Sequence, residues 1–194
     1  MGKELSEMTL AELWQLFPII LKEHRDEYKD WYEDEKTHLL GCVGDRYIRR
    51  ISHIGSTAVK GLLAKPTIDI LLEISDDCDL GRLKERLTGN GWILMHSSDG
   101  PEPQTYNKGY TKEGFAEKVF HLHVRRSGDW DELYFRDYLA EHPETAKEYA
   151  KLKLRLLRKF EHDRDAYTDA KTEFVRRYSK IAKEAYPARY QPER

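Results

Sequence analysis

Lys65-Pro66-Thr67-Ile68-Asp69-Ile70-Leu71 is the stretch on which the fold turns. Together with Leu72, Glu73 and Ile74 it gives a nearly continuous run of branched apolar residues from Ile68 to Ile74. That is the pattern of a central strand with both faces covered. Asp69 interrupts the run. A carboxylate inside such a strand is costly unless it is paired, hydrogen-bonded or bound to a metal. A sheet-edge or capping aspartate is the plainer alternative. Glu73 lies four residues on, on the same strand face, but near the far end, where solvation is expected.

Upstream, Tyr47 to Ile54 is β-like and runs into His53-Ile54-Gly55-Ser56-Thr57-Ala58-Val59. The strand ends in Gly-Ser and a short helix is expected to start there. Glycine lets the backbone approach a ligand closely, and amides at a helix start suit a phosphate. Ser56 either caps the helix or binds a phosphate oxygen. Thr57 belongs to the same turn, and Lys65 is close in sequence. Gly-Ser is also a common turn in proteins with no ligand there.

Downstream, Phe120-His121-Leu122-His123-Val124 places two imidazoles on one strand face. Beside Asp69 they would converge on a cation or a phosphate; a pair of surface histidines has the same signature. Near the C-terminus, Tyr167 and Lys171 are one helical turn apart, on a stripe with Phe174 and Tyr178. Lys171 therefore looks inward, where lysines meet carboxylates or phosphates. A lysine snorkelling at the stripe's edge gives the same spacing.

Around this middle third the chain is helical. Thr9 to Glu12 is a capping box opening a short helix before Pro18. A longer helix is expected on the stripe Leu21, His24, Tyr28, Trp31, Tyr32, Leu39, ended by Gly41 and Gly44. Leu80 to Leu87 is a helix, Trp92 to His96 a strand, and Asp99-Gly100-Pro101 a loop. Gln104 to Tyr110 and Phe115 to Arg125 form a hairpin. The last third carries helical stripes on Trp130, Leu133, Tyr134 and Tyr138, then on Tyr149, Leu152, Leu156 and Phe160, then from Tyr167 to Ile181. Helices, a mixed sheet, then helices make an α+β fold. The expected organisation is an N-terminal helical segment, 1–45, packed on a core of 46–194 that includes the C-terminal helices.

Composition narrows the function. The 194 residues include 35 acidic and 33 basic side chains, for a net charge of −2. That balance argues against a dominant nucleic-acid or anionic-membrane surface. Four Trp, twelve Tyr and six Phe argue against disorder. Cys42 and Cys78 make no disulfide framework and no Cys-x-x-Cys metal motif. No run is long and apolar enough to span a bilayer, and a cytoplasmic protein is the expectation.

The motifs quoted above, with Phe135-Arg136-Asp137-Tyr138-Leu139, His142-Pro143-Glu144 and Tyr167-Thr168-Asp169-Ala170-Lys171, resemble the GrpB family from about residue 50 to residue 175. Gly55-Ser56 followed by a strand carrying Asp69 also resembles the core of the nucleotidyltransferase superfamily. The resemblance implies a nucleotidyltransferase-like mixed sheet flanked by helices, with a pocket for a nucleotide or other phosphate-bearing small molecule. It implies Gly55, Ser56, Thr57, Lys65 and Tyr167 at the phosphates, and Asp69 and Lys171 in catalysis. A divalent metal, Mg, Mn or Zn, would lie on Asp69, His121 and His123. The sequence departs from active superfamily members, which usually place two acids two residues apart on one strand; here Thr67 and Leu71 flank Asp69 at that spacing. The expected function is metal-dependent nucleotidyl transfer to a small molecule or protein. The alternatives are a catalytically degenerate nucleotide- or coenzyme-binding module and a metal-dependent phosphoester hydrolase.

Overall fold

The computed structural model describes residues 3–97 and 104–192. The loop expected at Asp99-Gly100-Pro101 lies outside them. In chain order the elements are α1 (Leu10–Leu16), α2 (Glu27–Val43), β1 (Ile48–Ile54), β2 (Ile68–Ile74), α3 (Leu80–Gly89), β3 (Ile93–Ser97), β4 (Gln104–Thr111), β5 (Gly114–Arg126), α4 (Asp131–Glu141), α5 (Pro143–Phe160) and α6 (Arg164–Ala185). The strands form one mixed sheet in the order β1-β2-β5-β4-β3. Among the described residues, only β2 and β5 pair in parallel. The expected α+β architecture is the observed one. Among the described residues no helix is long and apolar enough to cross a membrane.

Strand β2 is covered on both faces because its neighbours are apolar and its residues alternate. Ile68, Ile70, Leu72 and Ile74 are fully buried and pack with Tyr106, Leu122 and Val124 beneath Tyr28, Trp31 and Leu39 of α2 and Leu83 and Leu87 of α3. The opposite face carries Asp69, Leu71 and Glu73. Leu71 packs against Ile54 and Leu133 of α4. Helices α4, α5 and α6 meet through Phe135, Tyr149, Phe174 and Tyr178; the rings of Tyr149 and Phe174 stack at 5.1 Å.

Three expectations are corrected. Glu73 is not solvated: it is fully buried and ion-paired with Arg50, whose Nη2 donates to Glu73 Oε1 at 2.9 Å while the Gly128 amide donates to the same oxygen. Arg50 pairs directly across the β1–β2 ladder from Glu73, so the two charges are neutralised in register. Helix α2 starts at Glu27 and not near Leu21, because Lys22 and Ala64 exchange both backbone hydrogen bonds, at 2.8 and 3.0 Å, which holds the chain extended there. It also runs through Gly41 and stops at Gly44, whose φ of 89° ends the helical path. The capping box at Thr9 and Glu12 forms as expected.

Candidate functional site

The parallel pairing of β2 with β5 sets Asp69 opposite His121 and Leu71 opposite His123. Residues two apart on a strand share a face. Asp69, His121 and His123 therefore open together into one cavity of about 780 Å³.

His121 is held on both of its nitrogens. Strand β4 bulges between Lys108 and Tyr110 at Gly109, which has a φ of 88°. A Cβ on Gly109 would lie 2.3 Å from the Lys118 carbonyl oxygen, so only glycine passes there. Bulges re-aim side chains, and after this one the Tyr110 hydroxyl lies 2.8 Å from His121 Nε2. Arg164 Nη2 donates to the same nitrogen at 3.1 Å. A guanidinium can only donate, so Nε2 accepts and Nδ1 carries the proton. That proton goes to Asp69 Oδ1, 3.1 Å away. His123 Nε2 stands 3.7 Å from the same oxygen. Burial lowers the pKa of His121, with Asp69 opposing it. Burial would by itself raise Asp69, but the bonds from His121 and His123 outweigh it and hold the carboxyl below its ordinary range.

This arrangement does not fit a metal ion. A ligating histidine offers a free lone pair to the metal, whereas the acceptor nitrogen of His121 already takes two donors. Among the described residues no group of three His, Cys, Asp or Glu side chains is arranged to hold a metal. The expected three-ligand set does converge, but as a hydrogen-bonded Asp–His pair with a second histidine beside it.

Gly55 follows β1 with a φ of 73° and sits against Asp69. The helix expected after it is one 3-10 turn, Ser56–Ala58. Thr57 lines the cavity, but its hydroxyl donates to the Thr67 carbonyl at 3.0 Å and meets His53 Nε2 at 3.0 Å. Thr57 thus ties the turn to the segment entering β2. Ser56 also lines the cavity, and its hydroxyl lies 2.9 Å from Lys153 Nζ.

The walls are cationic. Lys65, Lys153, Arg164 and Lys171 all line the cavity that Asp69 faces. Burial, with Arg164 and Lys171 nearby, lowers Lys65 to about 7. Burial, with Lys171 and Lys65 nearby, lowers Lys153 to about 7. Lys171 is half-buried and also lowered, chiefly by burial. Its Nζ sits 4.6 Å from the centre of the Tyr167 ring, and Lys65 Nζ approaches the same ring at 5.7 Å. Tyr167 is fully buried, and its hydroxyl has no hydrogen-bond partner among the described residues.

The structure thus brings Gly55, Ser56, Thr57, Lys65, Asp69, His121, His123, Tyr167 and Lys171 to one cavity. Sequence reading missed Tyr110, Lys153 and Arg164. Lys153 had a usable signal: it lies four residues after Tyr149 and three before Leu156, on the buried stripe of α5. Tyr110 and Arg164 had none, because a bulge and a helix start aim them.

A solved GrpB structure shares this architecture. The family model described as GrpB protein matches residues 18–180. The Glutamate-rich protein GrpB of Alkalihalophilus pseudofirmus is 34% identical over 161 residues, 81% of this chain and 91% of that protein. The chain spans about half the length of two other curated relatives. A crystal structure of conserved protein GrpB from Enterococcus faecalis overlays with a TM-score of 0.73 at 24% identity, over 86% of this chain and 99% of the other. A structure of Cid1 in complex with the UTP analog UMPNPP overlays at a TM-score of 0.48 and 11% identity, over 78% of this chain and 44% of the other. The molecule is an α+β protein whose mixed sheet opens into a cation-lined cavity. The chain belongs to the GrpB family.

Proposed function

We propose that the cavity binds the phosphates of a nucleotide or other phosphate-bearing small molecule. One observation carries this reading: four basic side chains, Lys65, Lys153, Arg164 and Lys171, line the cavity against two carboxylates, Asp69 and Asp165, and Asp69 is already hydrogen-bonded to His121. Such crowding is unfavourable in the empty cavity, and an anion relieves it. The half-buried Ser56 hydroxyl adds hydrogen-bonding capacity on the same walls. Apolar side chains of α1, Leu13 and Trp14, and of β3, Leu94, line the same space and suit the non-phosphate part of the molecule.

Nucleotidyl transfer is the second reading, and the family resemblance favours it. Metal dependence has less support, because the Asp69 and His121 atoms a metal needs are bonded to each other.

Calorimetric titration with inorganic phosphate, pyrophosphate and the nucleoside triphosphates, in chelator and then in magnesium, tests the proposal. Binding in chelator that weakens with salt and is lost in Lys65→Met or Lys171→Met is the expected result. Binding seen only with magnesium supports the metal-dependent reading. Failure of all these ligands to bind in either buffer overturns the proposal.

A further inference from the structure

We propose that Ser56 and Lys153 form a catalytic dyad, in which Ser56 Oγ is a nucleophile toward phosphorus and Lys153 Nζ its base. The inference rests on the phosphate-binding reading for its substrate class, but its geometry stands independently. Lys153 is 3% exposed, on the inner stripe of α5. Its Nζ has two hydrogen-bond partners: the Leu63 carbonyl, and the Ser56 hydroxyl at 2.9 Å. No carboxylate forms an ion pair with it among the described residues, and the Tyr149 ring lies 4.6 Å away. A buried lysine with a carboxylate partner stays charged and inert. One with only neutral partners and other cations nearby gives up its proton readily. Burial and the neighbouring lysines lower Lys153 to about 7, which agrees with that expectation. As the ammonium, Nζ donates to both the Leu63 carbonyl and Ser56 Oγ; once it loses a proton, the carbonyl keeps one amine hydrogen and the lone pair accepts from the serine hydroxyl.

The serine is presented as a nucleophile requires. It follows Gly55, whose left-handed backbone turns the chain sharply at the end of β1, and it lines the cavity. Serine is a weak nucleophile until a base within hydrogen-bond reach takes its proton, and lysine serves as that base in known Ser-Lys arrangements. Lys65, Arg164 and Lys171 line the same cavity and suit the negative charge that develops on phosphoryl oxygens.

The chemistry balances without a redox partner. The proton on Ser56 Oγ passes to Lys153 Nζ while Oγ bonds to phosphorus of a phosphate ester or anhydride. The bond from phosphorus to the leaving oxygen breaks, and that oxygen departs with the electron pair and takes the proton from Lys153. Water, or an acceptor hydroxyl, then gives its proton to Lys153 and attacks the same phosphorus. Ser56 Oγ leaves and recovers the proton. The result is hydrolysis or transfer of the phosphoryl group.

A fluorophosphonate probe tests the dyad directly, because it needs no knowledge of the natural ligand. Attack by Ser56 forms the Oγ–P bond and expels fluoride. We expect the folded protein to be labelled at Ser56, located by peptide mass mapping, and Lys153→Met to slow labelling at least tenfold. Absence of label at Ser56 in the folded protein, or equal labelling in Lys153→Met, overturns the proposal. Should Lys153→Met fail to fold, Ser56→Cys gives a second readout. Iodoacetamide should alkylate position 56 faster in the folded variant than in the same chain unfolded in urea, and an equal or slower folded rate overturns the dyad. Phosphate titration of the unsubstituted protein is read separately. A cavity that binds no phosphate but labels at Ser56 overturns the binding reading and leaves the dyad standing.

Discussion

A Cβ added to Gly55 would lie 2.5 Å from Asp69 Oδ2, so the glycine and the carboxylate fit one space that an alanine would close. The reason for glycine at this turn is therefore double. It adopts a φ of 73° and it leaves room for the in-strand acid. Gly55→Ala should lower stability by about 1–3 kcal/mol, the usual cost of a strained backbone position. It should also displace Asp69 from His121, which is read from the imidazole Nδ1 proton signal in NMR. A variant with an unmoved signal would show that the glycine serves the backbone alone.

Asp69→Asn distinguishes an anion site from a metal site. The carboxylate opposes phosphate in a cavity lined by four cations. Its removal should strengthen phosphate binding severalfold in chelator. It should also lower the pKa of His121 further, because Asp69 is what raises it against burial. Calorimetry and an NMR titration of the imidazole read the two effects. Weaker phosphate binding in chelator would contradict the anion reading.

The lysines make binding depend on pH in a definite direction. Lys65 and Lys153 fall from an ordinary 10.5 to about 7 in the folded chain. Between about pH 7 and 10.5 the unfolded chain holds these protons and the folded one does not. Their penalty on stability is therefore fully present below pH 7 and is relieved as pH rises to about 10.5. The groups facing them include Asp69, Arg164, Lys171 and Tyr149. Lys65→Met should flatten this rise relative to the unsubstituted protein in denaturant titrations. An anion that restores the ammonium form of Lys65 should draw up to about one proton from solution at pH 8. Calorimetry in buffers of different ionisation enthalpy measures that uptake, and zero uptake would contradict the shifted lysine.

Glu73 and Arg50 offer a check remote from the cavity. Removing one partner of a buried pair costs about 3–5 kcal/mol, because the other charge is left uncompensated. Glu73→Gln should reach the lower end of that range, since Arg50 keeps some exposure. The double variant Arg50→Met with Glu73→Leu should recover most of the loss. Denaturant midpoints measure both.

The order of elements was legible because each strand and helix carries its own period. The run Ile68–Ile74, the His-x-His pair and the stripe through Tyr167 each name their element; that β2 and β5 are direct neighbours, which brings Asp69 to the histidines, is what the structure adds. The chemistry was less legible. Asp69 and two histidines have the composition of a metal site whether or not a tyrosine and an arginine already occupy the imidazole. That occupancy depends on the bulge at Gly109 and on where α6 begins. Lys153 shares the stripe of Tyr149 and Leu156, but only the packing of α5 over the β1 turn makes it a buried partner of Ser56. Glu73 has the position of a solvated strand end, but Arg50 stands opposite it and the pair is buried.

The parallel contact between β2 and β5 also bears on how the molecule folds. Parallel neighbours cannot be joined by a tight turn, so α3, β3 and β4 intervene before β5 returns to β2. Asp69 meets His121 across 52 residues of chain, and Ser56 meets Lys153 across 97. Loop closure over such separations comes late and slows the search for the native state. The local hairpin of β4 and β5 is able to form early, while the cavity exists only after α5 has docked. Refolding followed by ligand-induced fluorescence should therefore lag refolding followed by β-sheet dichroism, and a nascent chain that ends before α5 should have its central sheet strands but no working cavity.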